Sequence, residues 1–337
     1  MKDKNYKSFL VIQTASIGDV ILATPVLEAL NSRFPGSIID ILVKKGNESL
    51  FTGHPFLHQV LIWDKSTQKY RNLRNLMAEV HQRKYDVVIN IQRFAGSGLL
   101  TWWSNAKVTV GFGKNPLSLL FTHRVPHLIG KGGIHETERN LSLLKPLCGE
   151  VKAPVKLYPR PEDDAKMSQF KTRQYVTISP ASLWFTKQLP AEQWIDLINK
   201  IPEPIHVYLL GSRNDQILCD KIMSSAKREN ILNLAGKTSF LETASLMRQA
   251  TMNWVNDSAP MHLASAVDAP VTAVFCSTVP DFGFGPLSTR SKIVQTHEKL
   301  SCRPCGIHGR KKCPEGHFKC ATTIATEDLF LERENHE

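Results

Sequence analysis

The stretch that decides the fold is Phe9-Leu10-Val11-Ile12-Gln13-Thr14-Ala15-Ser16-Ile17-Gly18-Asp19-Val20, where an apolar run gives way to a short polar turn. The apolar run predicts a buried strand, and Val20 opens an apolar helical pattern. Asp19 then lies beside the strand's carboxyl end, where α/β proteins bind their ligands. A glycine-rich turn would offer backbone N–H groups to a phosphate, whereas a carboxylate repels phosphate. We therefore expect Asp19 to act as a base, with a plain helix cap as the alternative.

Apolar runs alternate with helical patterns along both halves of the chain, which predicts parallel sheets wrapped by helices. Prolines and charged residues mark a linker near residue 155. The sequence thus predicts an α/β protein of two facing, doubly wound domains, 1–155 and 156–337, with a cleft between their strand ends. Strands are predicted at 9–13, 38–43, 59–63, 86–91, 107–112, 175–179, 205–210, 231–234, 252–255 and 271–276.

Charge and composition restrict the class of protein. The 337 residues include 42 Lys and Arg against 31 Asp and Glu, a net charge of +11 that suits an anionic partner such as nucleic acid, acidic lipid or phosphorylated sugar. No apolar run approaches the roughly 20 residues that cross a bilayer, and the amino terminus leads directly into a strand. We expect a cytoplasmic protein.

A sharper motif follows the buried strand predicted at 252–255. It reads Asn256-Asp257-Ser258-Ala259-Pro260-Met261-His262 and places small and capping residues at a helix start. Such a start favours a bound diphosphate, and His262 on the first turn points toward the same place. An ordinary strand-to-helix junction is the alternative.

Two further junctions of the second half carry polar residues. Lys187 lies in the loop between the strand at 175–179 and a helix opened by Pro190, where a cation could stabilise a leaving diphosphate. Asp215 follows the strand at 205–210 and could accept hydrogen bonds from a ribose. Each residue also has a simpler explanation: Lys187 could be a solvated surface charge, and Asp215 could only cap the next helix.

Four of the seven cysteines cluster near the carboxyl terminus, at Cys302, Cys305, Cys313 and Cys320. The first pair has the C-x2-C spacing of a zinc half-site, while the second pair is spaced more loosely. A structural zinc site, disulfides and free thiols all remain open.

The motifs together resemble the ADP-heptose:lipopolysaccharide heptosyltransferases, the family 9 glycosyltransferases of GT-B fold, and most closely the second heptosyltransferase. The resemblance spans nearly the whole chain. Its motifs are Gly18-Asp19, His135-Glu136-Thr137-Glu138-Arg139-Asn140, Thr186-Lys187, Asn256-Asp257-Ser258 through His262, and Ser277-Thr278-Val279-Pro280 ahead of Gly285-Pro286.

The resemblance implies a role for each matching residue. Asp19 would be the general base and Lys187 would meet the donor phosphates. Asp257, Ser258 and His262 would surround the diphosphate, with Ser182 near the phosphate and Asp215 at the ribose. Ala259 departs from the glycine usual in the family, and its methyl group narrows the approach of a phosphate to the backbone.

The implied reaction is inverting transfer of heptose from ADP-heptose to a phosphorylated lipopolysaccharide inner core at the cytoplasmic face of the inner membrane, without a catalytic metal. Basic residues of the first domain are candidates for acceptor binding: Lys44, Lys45, Arg93, Lys114 and Arg139. Another nucleotide-sugar transferase of the same fold remains open, as does a noncatalytic sugar-binding relative. From a different class, a nucleic-acid-binding protein with a zinc module would explain the charge, but its sequence signatures are absent.

Overall fold

The computed structural model describes residues 6–129 and 133–330. The chain divides into two compact units, Met1–Tyr158 and Pro159–Glu337. In the described part of each unit, six parallel strands form one sheet. None of the described helices is both long and apolar enough to cross a membrane.

The sheet of the first unit has the strand order β3-β2-β1-β4-β5-β6. Its central strand is fully buried because helices cover both faces, which explains the continuous apolar run at residues 9–12. Leu10 lies opposite Asp40 on one neighbouring strand and Val88 on the other. The strands are β1 (Ser8–Gln13), β2 (Ile38–Lys44), β3 (Gln59–Trp63), β4 (Val87–Asn90), β5 (Val108–Phe112) and β6 (His123–Val125).

Six α-helices are found in the described part of this unit. They are α1 (Ile17–Ile21), α2 (Thr24–Arg33), α3 (Lys69–Arg83), α4 (Ala95–Trp103), α5 (Glu136–Leu141) and α6 (Lys145–Cys148). Pro25 occupies the first turn of α2, where its missing N–H costs no hydrogen bond.

The second unit repeats this plan with the strand order β12-β11-β10-β7-β8-β9. Its core forms around the fully buried Trp194, which packs with apolar residues of the central strands. The strands are β7 (Tyr175–Ser179), β8 (His206–Leu209), β9 (Ile231–Asn233), β10 (Asn253–Asn256), β11 (Val271–Phe275) and β12 (Ser291–Gln295). The helices are α7 (Pro161–Met167), α8 (Ala191–Lys200), α9 (Gln216–Ser225), α10 (Phe240–Gln249), α11 (Ala259–Ala266) and α12 (Lys319–Thr322).

Both sheets have the strand order of a dinucleotide-binding fold, 3-2-1-4-5-6 in each unit's own numbering. The direction of winding reverses between β1 and β4 in the first unit and between β7 and β10 in the second. Ligands of such sheets bind outside the carboxyl ends of the strands at this switch point. We therefore expect a ligand site at the loops that follow β1 and β4 in the first unit, and at those that follow β7 and β10 in the second.

The ten predicted strands are confirmed, each within one residue at either end. The sequence prediction missed β6 and β12, which are the last strand of each sheet. Both lie at an edge and are largely exposed, so neither carries the apolar run that marked the buried strands.

Candidate functional site

In the first unit, Asp19 lies in α1 directly after the carboxyl end of β1. Its Oδ2 atom accepts hydrogen bonds from the Ser16 backbone N–H (3.2 Å) and from the Ser16 hydroxyl (2.5 Å). Asp19 therefore caps the helix, as the simpler interpretation predicted. Both bonds fall on Oδ2, so the cap does not use the second oxygen, Oδ1.

Helix α5 brings a second carboxylate close to Asp19. The Nε atom of Arg139 lies 2.7 Å from Oε2 of Glu136, and the two side chains are only 3% and 11% exposed. Burial raises the pKa of Glu136; Arg139 opposes the rise and the charge of Asp19 adds to it. The amide of Asn140 donates to the Leu22 carbonyl (3.0 Å), which holds α5 against the end of α1.

Three of the five candidate acceptor-binding cations act electrostatically on one buried histidine, His127. The pKa of His127 is lowered to about 4, first by burial and then by the charges of Arg93, Arg139 and Lys114. The sequence offered no sign that these three residues, widely separated along the chain, would act on the same group. They form a positive region that could bind a phosphorylated ligand.

The other two candidates, Lys44 and Lys45, belong to a different group at the ends of β2 and β3. Lys45 forms an exposed ion pair with Asp64 (2.9 Å), and Lys44 lies near Lys65. No motif in the sequence marks Lys65. Its ammonium group donates to the backbone carbonyl (3.1 Å) and hydroxyl (2.8 Å) of Thr14, in the turn that leads to Asp19. Burial, with Lys44 and Lys69, lowers the pKa of Lys65 to about 8.

In the second unit, Lys187 is held by a carboxylate. Its Nζ atom lies 2.7 Å from Oδ2 of Asp257, and the two side chains are 14% and 7% exposed. The Thr278 hydroxyl donates to the same oxygen (2.6 Å). Lys187 is thus not the solvated surface lysine of the simpler interpretation. The three residues follow β7, β10 and β11, which are adjacent in the sheet.

Asn256 fixes the loop that carries Lys187. This fully buried residue ends β10, and its amide donates to the Pro180 carbonyl (2.8 Å) while its Oδ1 accepts from the Leu189 N–H (2.9 Å). Both ends of the loop 180–189 are therefore tied to the residue before Asp257. The sequence does not indicate this role of Asn256, because its partners are 67 and 76 residues away along the chain.

The start of α11 lies immediately after the Lys187–Asp257 pair. Ser258 is the N-cap residue, and its hydroxyl donates to the Asn256 carbonyl (3.3 Å). Ala259 and Pro260 form the first turn, and His262 is buried at 6% exposure. The positive end of the helix and the ammonium group of Lys187 give this edge the chemistry of an anion site.

The remaining donor-site candidates have local roles. Asp215 caps a turn after β8, since its Oδ2 accepts from the backbone N–H and the hydroxyl of Ser212, both at 2.7 Å. The Ser182 carbonyl accepts from the Gln188 amide (2.6 Å), which closes the Lys187 loop on itself.

The four clustered cysteines line one cavity of about 280 Å³ together with Arg303, Arg310 and His317. All four are free thiols. Burial is the main cause that raises the pKa of Cys320 to about 11 and also raises that of Cys305, so neither thiol ionises readily. Among the described residues, no three His, Cys, Asp or Glu side chains are grouped so as to hold a metal ion. Of the three alternatives that the sequence left open, the described residues show free thiols.

A model of glycosyltransferase family 9 (heptosyltransferase) matches residues 73–317, more than half of the chain. The chain belongs to glycosyltransferase family 9. Lys187 and Asp257 lie within the matched range, whereas Asp19 precedes it. This assignment makes the chain an enzyme and does not favour the nucleic-acid-binding alternative.

Individual relatives of this family 9 glycosyltransferase agree with the assignment. The chain is 28% identical over 282 residues to lipopolysaccharide heptosyltransferase 3 of Escherichia coli K12, covering 77% of this chain and 80% of that protein. A family 9 glycosyltransferase of Veillonella parvula has a similar structure (TM-score 0.79, 20% identity, 87% and 86% of the two chains). So does the E. coli ADP-heptose lipopolysaccharide heptosyltransferase II (TM-score 0.78, 20% identity, 96% of each chain). These structures share the GT-B fold that the sequence predicted.

Proposed function

We propose that this glycosyltransferase transfers heptose from ADP-L-glycero-D-manno-heptose to the phosphorylated inner core of lipopolysaccharide, with inversion at the anomeric carbon. The names of the similar proteins support the donor and the acceptor. The observation that carries the proposal is the Lys187–Asp257 pair beside the start of α11, at the switch point of the second sheet.

The donor diphosphate would bind at the start of α11. A helix amino terminus attracts an anion through its N–H groups and its dipole, and Lys187 adds a positive charge that its partner Asp257 partly offsets. Asp257 holds Lys187 and is itself fixed by the Thr278 hydroxyl, so little side-chain freedom would be lost when the phosphate binds. Ser182, Ser258 and His262 would contact the diphosphate, with the methyl group of Ala259 limiting its approach. Asp215 would face the ribose.

Asp19 would serve as the general base for the acceptor. Its Oδ1 atom takes the proton from an acceptor hydroxyl as that oxygen attacks the anomeric carbon, and the bond from that carbon to the diphosphate oxygen breaks. ADP leaves with the bonding electrons, and Lys187 stabilises the negative charge that develops on it. Since fixed groups of the chain supply this positive charge, we expect transfer to continue in the presence of a chelator.

The acceptor is a phosphorylated sugar chain on a lipid. Arg93, Lys114 and Arg139 would bind its phosphates, and the pair Lys44 and Lys45 would extend the positive surface. The net charge of +11 favours peripheral association with the anionic cytoplasmic face of the inner membrane.

Thermal unfolding with matched concentrations of ADP, UDP, GDP, CMP and a short oligonucleotide tests the donor. A ligand at a hundred times its dissociation constant stabilises the folded state by about 2.7 kcal/mol. We expect selective stabilisation by ADP. Selectivity for another nucleotide would keep the enzyme class but replace the donor, and stabilisation by the oligonucleotide alone would reject the proposal.

A further inference from the structure

The cysteine-rich segment, residues 302–320, packs directly on the loop that carries Lys187. The backbone N–H of Thr186 donates to the Arg310 carbonyl (3.1 Å), and the Arg310 N–H donates to the Thr186 hydroxyl oxygen (2.8 Å). Thr186 is 1% exposed, so these two bonds are shielded from water. The segment thus reaches the residue next to Lys187 although it is more than 100 residues away in the sequence.

Thr186 also joins a third segment of the same unit. Ser277, which is fully buried, donates its backbone N–H to the Thr186 carbonyl (3.2 Å) and its hydroxyl to the Thr186 hydroxyl oxygen (2.9 Å). The Cys305 N–H in turn donates to the Ser277 carbonyl (2.9 Å). Thr186 is thus hydrogen-bonded to two segments that are distant in the sequence. A loop that only connected two elements would not need these bonds, so we expect them to hold Thr186 in a fixed position.

Gly309 lies against the aliphatic stem of Lys187. A Cβ atom added at Gly309 would lie 2.9 Å from Cγ of Lys187, 3.1 Å from the Thr186 hydroxyl and 3.3 Å from Cδ of Lys187. Contacts below 3 Å force a displacement of the lysine stem. Gly309 also has a φ of +75°, a conformation that side chains disfavour.

We infer that the cysteine-rich segment positions Lys187, with Gly309 packing on its stem and Arg310 fixing it through Thr186. The ammonium group is thereby directed to Asp257 and to the start of α11. Gly309 and Thr186 are positioning residues, since they act through Lys187. This inference rests on the proposed role of Lys187 at the donor diphosphate.

The substitutions Gly309→Ala and Gly316→Ala test the inference as a matched pair. Gly316 has a φ of +74° but no atom within 4 Å of an added Cβ, so it reproduces the backbone strain without touching Lys187. We expect Gly309→Ala to weaken ADP binding about tenfold or more relative to Gly316→Ala, because a displaced charge no longer meets the phosphate. Equal ADP affinities for the two variants would overturn the inference.

A second pair of variants covers the case in which Gly309→Ala does not fold. Thr186→Val removes the hydroxyl that joins Ser277 and Arg310, whereas Thr186→Ser keeps it. We expect ADP binding to weaken in the valine variant and to be retained in the serine variant. If both variants bind ADP as the parent protein does, the hydroxyl has no positioning role.

Repeating Gly309→Ala in a Lys187→Met background separates positioning from general stability. With the charge removed, the added methyl group should weaken ADP binding no further. An equal loss in both backgrounds would assign Gly309 a purely structural role. If Lys187→Met alone leaves ADP binding unchanged, the proposed donor site fails, and the inference fails with it.

Discussion

At the scale of single residues, the helix cap and the proposed catalytic role of Asp19 are compatible. The carboxylate caps α1 through Oδ2, and the cap does not use Oδ1, the oxygen that we propose as the base. For Lys187 the sequence identified the residue but not its pairing with Asp257, because that contact joins segments 70 residues apart. Arg93, Lys114 and Arg139 likewise act on His127 from separate parts of the chain, an electrostatic effect that no local pattern indicates.

Asp19→Asn should lower turnover by about a hundredfold or more, the usual contribution of a general base. Asparagine can still accept the Ser16 bonds, so the fold should be retained. ADP affinity should not change, since the proposed diphosphate site belongs to the other unit. The measurement is the rate of ADP release together with the ADP dissociation constant.

Asp215→Asn is the control for this change, because Asp215 caps its turn with the same pair of hydrogen bonds. Asp215→Asn should change the free energy of unfolding as little as Asp19→Asn does. It should weaken ADP binding and leave turnover at saturating donor unchanged. Near-normal turnover in Asp19→Asn would reject Asp19 as the base.

Lys187→Met should destabilise the protein as well as weaken ADP binding. The change leaves the carboxylate of Asp257 buried without its cation, which typically costs about 3 kcal/mol or more. Lys187→Met combined with Asp257→Asn should recover part of that stability, but not the affinity for ADP. Denaturant unfolding and ADP titration of the two variants measure both effects, and recovered ADP affinity in the double variant would contradict the role of Lys187.

At the scale of secondary structure elements, the sequence predicted the eight inner strands and two of the four edge strands, β3 and β9, and missed the edge strands β6 and β12. Burial on both faces requires continuous apolar runs, whereas an edge strand such as β12 is specified by pairing with its neighbour. The spacing of Cys302 and Cys305 suggested zinc as one alternative; the four thiols do line one cavity, but spacing alone does not set the side-chain geometry that a metal ion needs. The loop 180–189 depends on Asn256, which no local pattern could indicate.

Asn256→Ala should therefore affect the donor site through the loop that carries Lys187. Loss of the bonds to Pro180 and Leu189 should lower the free energy of unfolding by about 1–3 kcal/mol, because buried polar groups lose their partners. ADP binding should weaken as well, since the loop ends are released.

Asn253→Ala is the matched control within the same strand. Asn253 is also fully buried and bonds to Thr177, Met247 and Pro270, but it lies at the amino end of β10. It should cost comparable stability and leave ADP affinity unchanged. A similar loss of ADP affinity in both variants would show that stability, not loop position, controls binding.

At the scale of the whole molecule, two histidines make stability depend on pH. Burial is the first cause that lowers the pKa values of His54 and His127, both to about 4 from 6.5. Between these values the unfolded chain binds protons that the folded state excludes. The free energy of unfolding should fall as the pH falls from about 6.5 to 4, by up to about 1.4 kcal/mol per pH unit for each histidine.

Denaturant unfolding of the parent protein and of His127→Gln between about pH 7 and pH 5 tests this dependence. A difference in the free energy of unfolding at pH 7 reflects changed packing in the variant. A difference in how this free energy changes with pH reflects protonation of His127. In the variant, the free energy of unfolding should fall less steeply with falling pH, by up to about 1.4 kcal/mol per pH unit. Equal pH dependence in the two proteins would exclude His127 as a source of the acid sensitivity.

The central claim is the transfer of heptose from an ADP-activated donor, and the direct measurement is an assay with ADP-heptose and heptose-deficient lipopolysaccharide. We predict that ADP is released in step with a gain of one heptose in the lipopolysaccharide, as measured by mass spectrometry. The reaction should be strongly reduced in Asp19→Asn and Lys187→Met, and UDP- and GDP-sugars should not replace the donor. Absence of transfer by the folded protein, or preference for another nucleotide sugar, would contradict the claim.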